Sequence, residues 1–214
     1  MAELNTTGYA LLGLLNQHPW SAYELTQFMR VSHLRAVWPR AESRLYEGPK
    51  KLVEMGYAIA SSEQQGKRSR TVYTITEQGR QALRDWLQIN GKDVIFEHEA
   101  LLQLSNTDAG EIEDLQRIIE RLHASTNAAL QETEAGMRAL AQRSQQLSSD
   151  KRFVISTLVN HFLYETVIAR KRWLAFTDEF TKGWTDLEPC EEKLEASRAH
   201  YRELAEQLRQ QTDN

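Results

Sequence analysis

The sequence predicts a mainly α-helical protein, with an amino-terminal winged helix-turn-helix domain followed by a carboxy-terminal domain of long helices. Three observations lead to this prediction. The four prolines fall at positions 19, 39, 49 and 189, so no proline breaks a helix between Pro49 and Pro189. Apolar residues recur at steps of three and four through much of that stretch. Around residues 57–75 the apolar residues alternate instead, as in a β-hairpin.

The first half begins with short helices. Residues 9–15 form an apolar segment, and Ser21 with Glu24 has the spacing of a capping box that starts a second helix after a tight turn. A third helix is expected from Ala41 to Met55, and Gly56 would end it. These elements have the arrangement of a helix-turn-helix.

A β-hairpin and a return helix complete the amino-terminal domain. Tyr57 and Ile59 alternate with polar residues, as do Thr71, Tyr73 and Ile75, so two short strands are expected. Residues 64–69 would form their polar tip. Because a Thr76 side chain can cap the next helix, a fourth helix is expected through Trp86 and Leu87.

The second half predicts long helices. A capping-box-like pair, Asp108 and Glu111, would start the first, and Ser148–Asp150 would separate it from the second. Gly183 would end the second helix, and a short third helix would follow Pro189. The second helix carries an apolar seam at steps of four and three, comprising Ile155, Val159, Phe162, Thr166, Ala169, Trp173, Phe176 and Phe180.

These patterns predict three segments: a winged domain over residues 1–90, a linker over 91–107 and a helical dimerisation domain over 108–214. A helix from Asp108 to about Ser148 would be about 60 Å long at about 1.5 Å per residue, too long for one such chain to cover its apolar side. A homodimer is therefore expected, with a monomeric helical hairpin as the alternative. The expected dimer contacts are Ile155, Val159, Phe162, Trp173 and Phe176.

Charge differs between the two halves. The chain carries a formal net charge of −4, yet residues 1–90 carry +3 and residues 91–214 carry −7. Only the first half is therefore a candidate for binding a polyanion. No run of residues is apolar enough to span a membrane, and the single Cys190 can form no internal disulfide, so we expect a cytoplasmic protein without membrane contact.

Several short motifs lie in the first half of the chain: ALLGLL at 10–15, SAYEL at 21–25, Leu45-Tyr46, Lys50-Lys51-Leu52, Gly56-Tyr57 and Tyr73 to Thr76 with Gly79. With these motifs, residues 7–87 resemble the PadR family of bacterial transcriptional regulators. The second half resembles the helical domain of the longer, virulence-activator-like members, where Glu165, Arg172 and Trp173 lie in a helix of similar character. The resemblance implies that the winged domain binds an operator as a homodimer and that some members release DNA on binding a small aromatic compound.

Candidate DNA-binding residues lie on the third helix and the hairpin. Base contacts are assigned to Ser43, Arg44 and Tyr46, while three cations within four residues at the hairpin tip have no expected folding role and would meet the DNA backbone. The alternative for the helix is a solvated face with ion pairs one turn apart, and the alternative for the hairpin is a merely solubilising tip. The full set comprises Tyr23, Arg40, Ser43, Arg44, Tyr46, Lys50, Lys51, Lys67, Arg68 and Arg70.

Pro49 departs from the continuous helix that the family has after its Leu-Tyr pair. Proline lacks the amide proton, and its ring crowds the carbonyl of Leu45. The sequence therefore predicts that the third helix kinks or restarts near Gly48.

Enzymatic alternatives find little support in the sequence. Glu120 and His123 have the spacing of a carboxylate-bridged metal site, and His161 lies one turn from Glu165, but a di-iron bundle needs a second Glu-x-x-His pair. Polar pairs on or between helices are therefore expected. No phosphate-binding loop or nucleophile motif is present, so the sequence predicts no enzyme, cofactor or metal site.

Four aromatic residues are candidates for a small aromatic effector site near the linker, with core or dimer packing as the alternative: Trp20, Trp38, Phe96 and Trp173. The sequence thus predicts a dimeric regulator that binds a double-stranded DNA operator. Repression is expected because it is the commoner mode in the family. The alternative is a helical protein–protein adaptor with a degraded winged domain, whose binding would not weaken steeply with salt.

Overall fold

The fold was obtained as a computed structural model, which describes residues 4–39, 41–65, 68–144 and 151–212. The chain divides into two compact units. The first comprises residues 1–95 with 154–160, and the second comprises residues 96–153 with 161–214.

The first unit combines five helices and three strands among its described residues up to position 95. The structure confirms the mainly α class and the winged helix-turn-helix. Its elements are α1 (Thr6–Leu15), β1 (Trp20–Ser21), α2 (Ala22–Val31), α3 (Leu34–Val37), α4 (Glu42–Glu54), β2 (Ala58–Gln65), β3 (Arg68–Ile75) and α5 (Glu77–Trp86).

An antiparallel sheet in the order β1-β3-β2 forms the wing. The hairpin pairs Ala58 with Ile75 at its base, as the alternation predicts. Neither β1 nor α3 was predicted from the sequence. β1 is only two residues long and depends on partners far along the chain, because Trp20 pairs with Tyr73 and Ser21 with Val72.

Local capping signals are confirmed. Ser21 and Glu24 form the predicted capping box of α2, and the Thr76 side chain accepts from Gly79 N at the start of α5. Gly56 adopts a φ of 77° after α4, where Tyr57 N donates to the Leu52 carbonyl and closes the helix end. The apolar sides of these elements form one core, which comprises Leu11, Leu12, Leu14, Leu15, Leu25, Met29, Leu45, Leu52, Ala58, Tyr73 and Ile75.

The predicted restart near Gly48 is wrong, because α4 is a single helix from Glu42 to Glu54 with Pro49 inside it. Pro49 is fully buried, so packing offsets the hydrogen bond that its missing N–H cannot make. Gly48 lies against α1 so closely that a Cβ atom there would be 2.2 Å from Leu11 Cδ1. Tertiary contact with α1 therefore keeps this segment helical where local propensity disfavours a helix.

The second unit is helical throughout its regular elements in the described residues. The predicted start of the first long helix is displaced: Glu111 and Asp114 form its capping box, and Asp108 lies in a short 3-10 turn. The predicted break at Ser148–Asp150 lies outside the described residues. The helices are α6 (Glu99–Leu104), inside the predicted linker, α7 (Ile112–Arg143), α8 (Lys151–Phe180) and α9 (Glu191–Thr212), which at 22 residues is not short.

The buried residues of α8 differ in part from the seam that the sequence predicts for this helix. On α8 the buried side chains are Val167, Leu174 and Thr177, a stripe about a quarter turn from the seam. Polar contacts join the two helices, since Arg170 donates to Ser125 Oγ at 3.1 Å. Gly183, with a φ of 79°, follows α8 as predicted. In the described residues, no helix is both long and apolar enough to cross a membrane.

Candidate nucleic-acid interface

The side of α4 that faces away from the core carries the predicted DNA-binding residues. Leu45, Pro49 and Leu52 point into the core, and at about 100° per residue Ser43 and Lys50 lie on the opposite side. Tyr46 flanks that outward face on one side, and two cations flank it on the other. All five predicted residues described on this helix are exposed: Ser43, Arg44, Tyr46, Lys50 and Lys51.

Most of these cations are available to a ligand. Within the described part of the chain, the Arg44 and Lys51 side chains make no ion pair or hydrogen bond. Lys50 Nζ lies 3.4 Å from Glu47 Oε1, with both side chains more than half exposed. An exposed pair of this kind is worth about 0–1 kcal/mol, so Lys50 can exchange Glu47 for a phosphate at little cost.

Tyr23 lies in the first turn of α2, which precedes α3 and α4 along the chain. The Tyr23 side chain is 65% exposed, which is unusual for a large aromatic residue. Tyr23 lies two residues after Ser21, the capping residue of α2. The structure therefore leaves Tyr23 accessible on the surface, as a backbone contact requires.

The hairpin tip is only partly described. Lys67 and Arg40 lie outside the described residues, as does the side chain of Arg68. Arg70 corrects the prediction that the wing cations have no folding role. Its Nη1 donates to Glu24 Oε1 at 2.5 Å and its Nη2 to Glu63 Oε2 at 2.8 Å, which joins β3 to both α2 and β2.

Glu24 links this cluster to the start of α2. Its Oε2 accepts from the Ser21 backbone N–H at 2.9 Å and from the Ser21 hydroxyl at 2.8 Å. The backbone N–H of Ser21 lowers the pKa of the Glu24 carboxyl most, and its hydroxyl and Arg70 add to this effect against the opposing effect of burial. Glu24 is therefore held ionised at the junction of α2 and the hairpin.

This lowered pKa predicts acid sensitivity. A carboxyl whose pKa is lower in the folded state stabilises the fold above its unfolded pKa, and that contribution disappears as pH falls through its folded pKa. We expect Glu24→Gln to reduce the free energy of unfolding at about pH 7, and this reduction to shrink as pH falls below the unfolded pKa of a glutamate, about 4.3, and through the lower folded pKa of Glu24. Urea unfolding of both proteins across that range checks this; an equal difference at every pH would contradict it.

Sequence reasoning missed two cations beside the recognition helix, Arg30 at the end of α2 and Arg35 in α3. Both are exposed, and neither side chain has an ion pair or hydrogen bond among the described residues. A signal existed, since Arg30 lies in the last turn of α2 and Arg35 lies in the segment that leads to α4. With the other lining residues they form an open groove of about 320 Å³, lined by Thr26, Met29, Arg30, Arg35, Trp38, Pro39 and Leu45.

Two of the four aromatic candidates for an effector site lie in the first unit and two lie in the second. In the first unit, Trp20 Nε1 donates to the Leu14 carbonyl at 3.0 Å, and Trp38 Nε1 donates to Thr7 Oγ1 at 3.2 Å. In the second unit, Phe96 is exposed and Trp173 is half-buried. Both indoles of the first unit thus have packing roles, and only Trp38 also borders the groove.

The metal-like pairs of the sequence form polar contacts. His123 Nε2 lies 2.8 Å from Asp178 Oδ1, which links α7 to α8, and Glu120 is exposed. His161 Nε2 lies 3.9 Å from Glu165 Oε1 one turn along α8. Over residues 4–39, 41–65, 68–144 and 151–212, no three His, Cys, Asp or Glu side chains come together as metal ligands could.

An exposed apolar row runs along the first half of α8. Ile155 and Phe162 of the predicted seam are exposed, together with Val154 and Leu158, whereas Val159 is half-buried. Further along the seam, the Phe176 ring stacks on His200 of α9 with ring centres 4.3 Å apart. Among the described residues, the seam is therefore exposed at Ile155 and Phe162 and packed within the chain at Phe176.

Comparison with known proteins identifies the amino-terminal unit. Residues 11–85 match the transcriptional regulator PadR-like family. The negative transcriptional regulator PadR of Bacillus subtilis strain 168 is 36% identical over 80 residues. That alignment spans 37% of this chain and 43% of the curated relative, so it covers less than half of either protein.

Solved structures extend the likeness of the fold beyond this unit. Bacillus subtilis PadR in complex with operator DNA has a TM-score of 0.68 at 22% identity, covering 82% of this chain and 97% of that one. The same protein in complex with p-coumaric acid has a TM-score of 0.58 at 21% identity, covering 81% and 99%. The fold and the family match agree: residues 11–85, within the winged helix-turn-helix domain of this chain, are similar to the PadR-like family of transcriptional regulators.

Proposed function

We propose that this protein binds a double-stranded DNA operator as a homodimer and represses transcription there. The observation that carries the proposal is the surface of α4, where Arg44, Tyr46 and Lys51 are exposed opposite or beside a fully buried apolar side. A helix of this kind fits the major groove, with its scaffold helix α2 behind it. The mechanism is binding and occlusion, without bond chemistry.

The residues divide by role. Ser43, Arg44 and Tyr46 contact base edges, because they lie in the first turns of the recognition helix. Lys50 and Lys51 meet phosphates, and Tyr23 meets the backbone from the start of α2. Lys67 and Arg68 keep the backbone role that the sequence predicts for the hairpin tip.

The homodimer is supported by the apolar row of α8 that is exposed among the described residues, centred on Ile155, Leu158 and Phe162. A second copy related by two-fold symmetry would present the same row, so each copy would cover the other. Two recognition helices would then reach two half-sites of one operator.

Release by a small aromatic effector is part of the proposal. It is supported by the resemblance to regulators of this family and by the structure of Bacillus subtilis PadR with p-coumaric acid, a property of that protein. All four aromatic candidates keep some accessible surface, since Trp20, Trp38 and Trp173 are half-buried and Phe96 is exposed. Such an effector must favour the non-binding arrangement by about 1–3 kcal/mol to act as a switch.

The salt dependence of duplex binding tests the proposal. Each neutralised phosphate adds about 0.9 to the slope of log K against log salt, so a dimer with Lys51 on phosphate in both copies loses about two units in Lys51→Ala. We expect that loss on every duplex, measured by fluorescence anisotropy between low and moderate salt.

Lys171→Ala is the matched control, because Lys171 is an exposed lysine on α8 outside the winged domain. It should leave the slope unchanged. An unchanged slope in Lys51→Ala would remove that residue from the interface. If duplex binding by the wild-type protein does not weaken as salt is raised, the protein–protein adaptor is favoured instead.

A further inference from the structure

The hairpin is joined to the start of α2 through one arginine and one glutamate. Arg70 on β3 donates to Glu24 Oε1 at 2.5 Å, although 46 positions separate the two residues. The same guanidinium holds Glu63, its directly opposite residue on β2, through Nε at 3.1 Å and Nη2 at 2.8 Å. Three of its donor groups are thus used inside the protein.

The other oxygen of Glu24 is used in the capping box of α2. It accepts from the Ser21 N–H and hydroxyl, while Glu24 N donates to Ser21 Oγ at 3.2 Å. Ser21 itself pairs with Val72 in the sheet. The first turn of α2 is therefore held to β3 twice, by a strand pair and by the Arg70–Glu24 contact. The exposed Tyr23 lies between these two attachments.

Charge makes the arrangement unexpected for a DNA-binding surface. Glu24 and Glu63 outnumber the single Arg70, so the cluster has a formal charge of −1 beside residues proposed to meet phosphate. By its field alone this cluster opposes a polyanion. We therefore attribute the position of this cluster to the geometry that it fixes between the hairpin and α2.

We propose that Arg70 and Glu24 are positioning residues for DNA binding: their contact fixes the hairpin against the start of α2, so that Tyr23 and the hairpin meet one DNA backbone. This inference rests on the proposed function and extends it. It reassigns Arg70 from a phosphate contact to an internal tie. It also gives an acidic residue, Glu24, a favourable role in binding DNA.

Glu24→Gln separates geometry from charge. Glutamine keeps an acceptor for Ser21 and loses the charged contact with Arg70. It also removes a negative charge, which by field alone would strengthen binding. We expect instead that affinity for duplex DNA falls about threefold to tenfold, with an unchanged salt slope, because no phosphate contact is lost.

Glu63→Gln is the matched control. It makes the same chemical change in the other partner of Arg70, but that contact lies within the hairpin and does not reach α2. We expect its affinity to equal that of the wild type or exceed it. A loss as large as that of Glu24→Gln would overturn the assignment to the α2 contact.

Arg70→Gln and the double variant complete the cycle. If the pair acts as a unit, Arg70→Gln weakens binding as much as Glu24→Gln, leaves the salt slope unchanged, and adds nothing in the double variant. A slope lower by about two per dimer would identify Arg70 as a phosphate contact and overturn the proposal. Tighter binding of duplex DNA by Glu24→Gln would also overturn the proposal.

Circular dichroism confirms that each variant is folded at the temperature of the binding measurement. Should Glu24→Gln not fold, Arg70→Lys serves the same test, because a lysine cannot hold both carboxylates; we expect a smaller loss at constant slope, and a changed slope would overturn the proposal. If wild-type protein binds no duplex at all, the proposed function fails and the positioning role fails with it, a result distinct from any difference between variants.

Discussion

Phe162→Glu is expected to convert the protein to a monomer and to weaken its binding to a two-half-site operator by about a hundredfold to ten-thousandfold, because linked binding of two modules gives an advantage of that order. Phe162 is 65% exposed in the single chain, so a glutamate there is solvated and the fold is retained. In a dimer the same carboxylate would enter an apolar contact at a cost of several kcal/mol. Light scattering and operator titration measure the two effects.

Phe162→Leu is the control at the same position, since it keeps an apolar side chain. We expect it to remain a dimer and to bind the operator as the wild type does. Circular dichroism should show the same helix content in all three proteins. A folded Phe162→Glu dimer with wild-type affinity would show that this part of α8 does not form the interface.

The second large effect is expected at Arg44. An arginine that contacts guanine O6 and N7 contributes about 1–3 kcal/mol of discrimination, and a dimer carries two copies. Arg44→Ala should therefore weaken binding to the duplex that wild-type protein enriches from a random pool far more than binding to random duplex. The comparison is made at one fixed salt concentration, because nonspecific affinity depends strongly on salt.

Lys51→Ala provides the contrast for Arg44→Ala. Lys51 lies seven residues along α4 on the same flank, and its side chain is similarly exposed. As a phosphate contact it should weaken both kinds of duplex by a similar factor. If Arg44→Ala also weakens both equally, Arg44 contacts the backbone and base readout lies with other residues of α4.

Apart from β1 and α3, the elements of the winged domain were predictable because their signals are local. The Ser21 and Glu24 pair, the Thr76 cap and the positive φ of Gly56 each depend on residues within a few positions along the chain. The hairpin follows from alternation in the same way. The exposed face of α4 also follows from its period, since Leu45 and Leu52 fix which side is buried.

Features that depend on distant partners could not be predicted this way. Pro49 remains helical because α4 packs on α1, and β1 exists because Tyr73 and Val72 pair with it. Arg70 was predicted to have no folding role because its partner Glu24 is 46 residues away. Each error has one cause: a tertiary contact outweighed the local preference.

The long helices illustrate a different limit. A repeating apolar pattern identified α8, but two adjacent stripes on that helix are apolar enough to be buried. The chain buries Val167 and Leu174 and leaves Ile155 and Phe162 exposed. Sequence periodicity cannot distinguish the stripe that packs within the chain from the one that is free for a partner.

Selection from a pool of random duplexes tests the central proposal most directly. Wild-type protein is incubated with the pool at moderate salt, and the bound duplexes are recovered, amplified and sequenced over several rounds. We predict enrichment of a two-fold symmetric site with half-sites about one helical turn, roughly 34 Å, apart. The enriched duplex should bind at least about a thousandfold more tightly than random duplex. A pool that stays random through every round, together with duplex binding that does not weaken with salt, would contradict the proposed operator-binding function.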